Sequence, residues 1–145
     1  MRAVCDMAKL GERTIWMDSD VIQADGGTRC ASISGSFVAL IWALEKLKRK
    51  GLFNKIPISD YVGAVSVGLL KGKEVLDLTY EEDAVAEVDM NIVMTKGERF
   101  IEVQGTAEGK PFTNSEMDKM ISLAKKGIDS IFKAQEDVLG DLLDI

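Results

Sequence analysis

The stretch QADGGTRCASISGSFVALIWAL, residues 23–44, joins a glycine-rich turn to a segment with one apolar stripe. From Thr28 onward, apolar residues recur at three- and four-residue steps, which predicts a helix with a single buried face. These residues are Ile33, Phe37, Leu40, Ile41, Leu44 and Leu47. Trp42 and Cys30 are interpreted as packed residues of the same helix. Such a helix needs a second layer to cover its apolar face.

The segments around this helix predict that layer. Strands are predicted at Tyr61–Leu70, Val75–Tyr80, Val88–Thr95 and Arg99–Gln104, with a further strand at Arg13–Ile22 and a helix end at Arg2–Leu10. The sequence TNSE at 113–116 has the spacing of a capping box and opens a final helix. Its predicted buried face comprises Met117, Met120, Ala124, Ile128, Ile131, Gln135 and Val138. The order predicts a layered α+β domain with helices packed on a mixed sheet.

Composition and charge restrict the function. A chain of 145 residues with 46% hydrophobic and 29% charged residues suits one globular domain over residues 1–145. The longest apolar run, Phe37–Leu44, is too short to span a bilayer, and no secretory signal is visible, so we expect a cytoplasmic protein without membrane contact. The absence of histidine excludes His-based nucleophilic, general-base and metal chemistry. A net charge of −6 argues against a generic nucleic-acid binder.

The segment DGGTR, Asp25–Arg29, is the first candidate site. Glycines let the backbone approach a ligand closely, and a helix N-terminus presents unpaired amides with a partial positive charge. Arg29 adds a guanidinium that matches phosphate oxygens, and Thr28 adds a hydroxyl. An arginine in the first helical turn opposes the helix dipole unless an anion lies nearby. The segment is equally consistent with a helix start that Asp25 or Thr28 merely caps.

An acidic stretch from Glu74 to Thr95 is the second candidate site, since it holds seven carboxylates and no Lys or Arg. A solvated face is the usual explanation for such a run. Asp83 and Asp89, however, lie at the two ends of the connection between two predicted strands. If these strands pair as a hairpin, the two aspartates meet at one end of the sheet. Clustered carboxylates suit Mg²⁺ or Mn²⁺, or a carboxyl group with a raised pKa.

Together these motifs resemble the ribonuclease PH family. The matching stretches are KLGERT (9–14), QADGGTR (23–29), AVSVG (64–68), DLTYEEDAVAEVDMNIVMT (77–95) and IEVQGTAEGKPF (101–112), followed by the final helix. The resemblance covers essentially the whole chain. The combination of QADGGTR with the acidic stretch is far more specific than either motif alone.

The resemblance implies a phosphorolytic 3′-to-5′ exoribonuclease of the tRNA nucleotidyltransferase type. Such an enzyme uses inorganic phosphate to remove 3′-terminal nucleotides from precursor tRNA and releases nucleoside diphosphates. The resemblance implies that Gly27, Thr28 and Arg29 bind the phosphate. It gives Asp83 and Asp89 the role of metal ligands or general acid, with Mg²⁺ or Mn²⁺ as the ion. It also implies a βαβα two-layer fold, RNA as a partner, and a homohexamer built as a trimer of dimers.

Family members also carry an N-terminal part that is expected to be missing here, so that the chain corresponds to the C-terminal portion of the domain. That part would supply early strands, another phosphate-contacting arginine and arginines that hold RNA. Two alternatives remain. One is a catalytically inactive fragment or structural subunit of an exosome-like ring, although the retained Arg29, Asp83 and Asp89 count against it. The other is a phosphate- or nucleotide-binding module without RNA activity.

Overall fold

The computed structural model describes residues 1–143, in which two long helices pack on a four-stranded sheet. The elements are α1 (Met7–Leu10), α2 (Thr28–Arg49), β1 (Val62–Leu70), β2 (Lys73–Leu76), α3 (Tyr80–Asp83), β3 (Val88–Thr95), β4 (Phe100–Ala107) and α4 (Asn114–Leu139), with 3-10 turns at Arg2–Val4 and Gly140–Leu142. The predicted α+β class is confirmed. The capping box is also present, because the Thr113 hydroxyl accepts from the Glu116 amide and the Glu116 carboxylate accepts from the Thr113 amide.

The strand order is β2-β1-β3-β4, and every neighbouring pair is antiparallel, where a mixed sheet was expected. The predicted hairpin between the strands that flank the acidic stretch is therefore wrong, since β1 lies between β2 and β3. Strand β1 is buried along almost its whole length, as expected for a central strand with a neighbour on each side. The chain reaches β3 from β2 through α3, and this crossing positions the acidic stretch at one end of the sheet.

Helices α2 and α4 contact opposite faces of the sheet, so the described residues form three layers where two were expected. A Cβ added to Gly63 would lie 3.1 Å from Ile128 Cγ2 of α4, whereas Ser66 faces Gly27 at the start of α2. Residues 63 and 66 have opposite parity along β1, so their side chains point to different faces. The side chains of Asp89 and Asn91, which pair with Gly68 and Ser66, share the face of α2. The start of α2 therefore lies over the polar positions of the sheet.

Some backbone groups of β1 do not pair with β2, and they form hydrogen bonds with side chains of the two helices instead. The Ser34 hydroxyl of α2 accepts from the Ala64 amide at 3.1 Å, and Gln135 Nε2 of α4 donates to the Val62 carbonyl at 2.9 Å. Gln135 Nε2 also donates to the Ser34 carbonyl at 3.0 Å. An open strand edge is a site for unwanted pairing, and buried backbone groups need partners. These two polar residues therefore seal the edge and join α2 to α4.

The core is built from the buried faces of α2 and α4. Phe37, Ile41 and Leu44 are fully buried, which confirms the predicted stripe of α2. Within residues 1–143, α2 alone is long and apolar enough to cross a membrane, and its packing against the sheet explains that composition as a core helix. Trp42 was predicted to be packed but is 49% exposed. The last turns of α4 bury Phe132 and Leu139 rather than Ile131 and Val138, because the buried positions recur every four residues from Met120 to Phe132 and so fall one residue later than a 3.6-residue period predicts.

The first 25 residues depart most from expectation. The predicted helix Arg2–Leu10 is split into a 3-10 turn and α1, with a single β-bridge from Cys5 to Ile58 between them. The predicted strand Arg13–Ile22 does not form, and Trp16 and Ile22 are 90% and 97% exposed. A strand needs a hydrogen-bonded neighbour, and the described chain places none beside this segment.

Candidate functional site

The glycines before α2 bring its first turn against the segment that follows β2. A Cβ on Gly26 would lie 1.8 Å from the Leu78 carbonyl oxygen, so only glycine fits at this approach. Gly27 is the residue that precedes α2, and its φ of 67° is the left-handed conformation that favours glycine. Asp25 Oδ1 accepts from the Tyr80 amide at 2.7 Å, which lowers the pKa of Asp25. The start of α2 is thus attached to the start of α3.

No side chain caps α2, which decides against the simple capping interpretation of DGGTR. Asp25 is engaged with Tyr80, and the Thr28 hydroxyl donates to the Asp25 carbonyl at 3.0 Å. Among the hydrogen bonds of residues 1–143, none uses the amides of residues 27–30. These four N–H groups carry the positive end of the helix dipole and are available to an anion.

Ser66 lies beneath this helix start and was missed by sequence reasoning. It is 3% exposed, and its hydroxyl has no hydrogen-bond partner in the described part of the chain. A Cβ on Gly27 would lie 3.2 Å from Ser66 Oγ and 3.3 Å from Asp77 Oδ1, so both side chains adjoin the glycine. A buried hydroxyl group without a hydrogen-bond partner is unusual, and it can still donate to or accept from a polar ligand. The available signal was a serine within the apolar strand YVGAVSVGLL.

Arg29 extends across the sheet to Glu102 on β4. Its Nη2 donates to Glu102 Oε2 at 2.8 Å, and its Nη1 lies 2.7 Å from Oε1. The hydrogen bond raises the pKa of Arg29 and lowers the pKa of Glu102. The anion that the sequence predicts beside Arg29 is therefore present within the chain itself.

Asp83 and Asp89 lie on either side of the crossing through α3 rather than in a hairpin, and the charge of Asp83 acts on Asp89. Asp89 is half-buried at the start of β3, and Asp83 is the last residue of α3. Burial raises the pKa of Asp89, and the negative charges of Asp83 and Glu108 raise it further. Across residues 1–143, no three His, Cys, Asp or Glu side chains form a metal-binding group. The aspartates are therefore a pair of oxygen donors that would need water or substrate to complete a cation's coordination.

Cys30 is a packed residue, as predicted. Its thiol is buried and donates to Asn91 Oδ1 at 2.9 Å, which ties α2 to β3. Burial raises its pKa to about 11, so it is not a thiolate nucleophile at neutral pH. The charges of Arg29, Asp89, Asp77 and Glu102 all act on this thiol. Both candidate sites therefore lie around one point at the same end of the sheet.

Comparison with known proteins agrees with this arrangement. The family model of the 3′ exoribonuclease family, domain 2, matches residues 60–127. The ribonuclease PH of Syntrophomonas wolfei is 54% identical over 97% of the chain, and that of Bacillus velezensis is 53% identical over 99%. Among solved structures, rice (Oryza sativa) Rrp46 matches with a TM-score of 0.61 and 17% identity, over 83% of this chain and 50% of its own. The structural match concerns the fold alone.

The chain spans 59% of the length of each of these two relatives. Ribonuclease PH of Listeria welshimeri gives the same result, with 52% identity over 97% of the chain and 57% of its own length. Identity above one half, sustained over nearly every residue, is accompanied by the glycine-rich helix start and the paired aspartates at one end of the sheet. Over nearly its whole length, the chain is therefore similar to members of the ribonuclease PH family.

Proposed function

We propose that this chain carries the phosphate and metal residues of a phosphorolytic 3′-to-5′ exoribonuclease that acts on precursor tRNA. Inorganic phosphate is the co-substrate, and nucleoside diphosphates are released. The observation that carries the proposal is the uncapped start of α2, with Arg29 in its first turn and the buried Ser66 hydroxyl beneath it. Asp83 and Asp89 lie at the same end of the sheet. The names of the related ribonucleases support the reaction type.

Phosphorolysis requires a phosphate dianion to approach an anionic phosphodiester, so the site must hold the nucleophile against repulsion. The free amides of Gly27 and Thr28 and the guanidinium of Arg29 are suited to this task. The Thr28 hydroxyl already donates to the Asp25 carbonyl, so we assign the contribution of Thr28 to its amide. The helix dipole adds fixed positive charge, which needs no reorganisation during the reaction.

Asp83 and Asp89 are the proposed ligands for Mg²⁺ or Mn²⁺. Oxygen donors suit these ions, and because burial and the charge of Asp83 raise the pKa of Asp89, a bound cation would stabilise its charged form. When bound, the ion offsets negative charge that develops on the bridging phosphate. A protonated carboxyl group of the same pair can serve as the general acid that delivers a proton to the leaving 3′ oxygen.

RNA binding and assembly belong to the longer protein. With a net charge of −6, this chain does not offer the basic surface that RNA requires. We assign that surface to the additional length that the relatives possess, and to neighbouring copies in a hexamer of three dimers. The exposed Trp16 and Ile22 support a domain that is completed by further residues. The expected location of the assembled enzyme is the cytoplasm.

The test is an assay with RNA that has a free 3′ end, with and without phosphate. The 145-residue chain is compared with a version extended to the full length of the relatives. Arg29→Ala and Asp89→Asn are expected to reduce nucleoside diphosphate formation at least about 100-fold. Arg49→Ala, at the other end of α2, and Asp118→Asn, on the surface of α4, are matched controls.

Each result has a distinct meaning. Product that survives Arg29→Ala and Asp89→Asn would refute the assigned site. Nucleoside monophosphates in the absence of phosphate would replace phosphorolysis with hydrolysis. No product from either version would favour a structural subunit of a ring.

A further inference from the structure

The contact between Arg29 and Glu102 joins the first turn of α2 to the edge strand β4. It is two-pronged, with Nη2 donating to Oε2 at 2.8 Å and Nη1 at 2.7 Å from Oε1. The side chains are 51% and 35% exposed. An isolated surface ion pair contributes little to stability. The contact between Arg29 and Glu102 therefore adds little to the stability of the fold, and another role should be sought for it.

The geometry of the contact leaves half of the guanidinium free. A guanidinium carries five N–H donors, and the carboxylate occupies the tip formed by Nη1 and Nη2. Nε–H and the second N–H of Nη2 form a separate side edge. Among residues 1–143, no other group accepts a hydrogen bond from this side chain. The side edge is itself a two-pronged donor that matches two oxygens of a phosphate.

Space for an anion is present beside Arg29. A cavity of about 300 Å³ is lined by Arg29 and Glu102 and by the hydroxyl-bearing residues Ser19, Ser32 and Ser36. Ser19 Oγ lies 3.1 Å from Ser36 Oγ, so the wall of the cavity already contains a polar pair. The rest of the lining is apolar, so Arg29, Glu102 and these hydroxyl groups form the polar side of the cavity.

We propose that Glu102 is a positioning residue, which holds the tip of Arg29 so that its side edge is fixed for inorganic phosphate. The inference rests on the proposed role of Arg29 in phosphate binding. Arginine loses much rotamer freedom when it is ordered, and Glu102 imposes that order before the ligand arrives. The carboxylate also repels phosphate, but both side chains are half in water, which screens the repulsion.

Binding of inorganic phosphate to the 145-residue chain, measured by isothermal titration calorimetry, tests the proposal. Glu102→Gln is expected to weaken phosphate affinity about 3- to 10-fold, and Arg29→Ala about 10-fold or more. In the Arg29→Ala background, Glu102→Gln should have less than about a twofold effect, because Glu102 acts through Arg29. Glu45→Gln is the matched control, since Glu45 pairs with Arg49 at the far end of α2.

Glu102→Asp tests whether the length of the side chain or only its charge matters, and it replaces Glu102→Gln if that variant does not fold. The shorter carboxylate keeps its charge but cannot hold both nitrogens, so affinity should again fall. Tighter phosphate binding in Glu102→Gln would overturn the proposal, since Glu102 would then compete with phosphate. An equal loss with and without Arg29 would also overturn it. If Arg29→Ala binds phosphate like wild type, or wild type does not bind it, the proposed function fails first and this inference fails with it.

Discussion

Gly26→Ala should damage the start of α2 while leaving the rest of the fold in place. The new Cβ would lie 1.8 Å from the Leu78 carbonyl oxygen and 2.8 Å from the carbonyl carbons of Leu78 and Thr79. These are backbone atoms, so no side-chain rotation relieves the clash, and the loop must shift by more than about 1 Å. Overpacking of this kind costs about 1–3 kcal/mol. The shift also breaks the exposed hydrogen bond from the Tyr80 amide to Asp25.

A domain of this size has about 5–15 kcal/mol of stability, so the variant should still fold. The expected result is a decrease of about 1–3 kcal/mol in the free energy of unfolding, together with weaker phosphate binding. Urea denaturation should be followed by far-ultraviolet circular dichroism rather than tryptophan fluorescence. Trp16 and Trp42 are already 90% and 49% exposed in the native state, so their emission would change little.

Gly35→Ala is the matched control. Gly35 lies inside α2, and apart from its own helix no described heavy atom is within 4 Å of an added Cβ. Alanine is the better helix former, so this variant should gain about 0.5–1 kcal/mol. If Gly26→Ala were as stable as wild type and bound phosphate equally well, the close approach to Leu78 would not matter and the reasoning would be refuted. A comparable loss in Gly35→Ala would show general sensitivity to alanine instead.

Three further variants test buried polar groups, each by urea denaturation. Gln135→Ala should cost about 1–3 kcal/mol, because it leaves the buried Val62 carbonyl unpaired; a cost below about 0.5 kcal/mol would contradict this role. Ser66→Ala should be neutral or stabilising by up to about 1 kcal/mol, since the hydroxyl it removes is buried without a partner; clear destabilisation would reveal a partner. Burial raises the native pKa of Asp89 above the unfolded value of about 3.9, so stability falls as pH rises through that interval. Asp89→Asn should therefore be more stable than wild type at pH about 7 in metal-free buffer, with no gain at pH about 3; an equal gain at both would contradict the assignment.

Elements specified by local signals were predictable from the sequence. The apolar steps of α2 and the capping box at Thr113 depend on residues three or four positions apart, and both are present in the structure. The strand Val88–Thr95 has its predicted bounds. Cys30 was also predicted to be packed, because a thiol without a basic partner behaves as a small apolar residue.

Pairing between distant segments was not predictable in the same way. Alternation identifies a strand but does not specify its neighbour, so β2 and β3 were paired with each other although both pair with β1. The proximity of Asp83 and Asp89 was nevertheless predicted, because any short connection ending at the same edge of the sheet brings them together. The segment Arg13–Ile22 has the composition of a strand, but composition cannot supply the hydrogen-bonded neighbour that a strand requires.

The position of Arg29 was interpreted correctly from the sequence, but the sequence did not reveal which group accounts for it. Its charge opposes the dipole of α2, so the sequence predicts a nearby anion without saying which one. Glu102 is that anion in the structure, 73 residues further along the chain, and it explains Arg29 without any ligand. It does not explain the four free amides or the unpaired Ser66 hydroxyl. An anion site at α2 is therefore supported chiefly by the backbone and by Ser66. The contribution of Arg29 to phosphate binding depends on whether Glu102 orients its guanidinium group for phosphate or competes with phosphate for it. Coupling between Arg29→Ala and Glu102→Gln distinguishes these two cases.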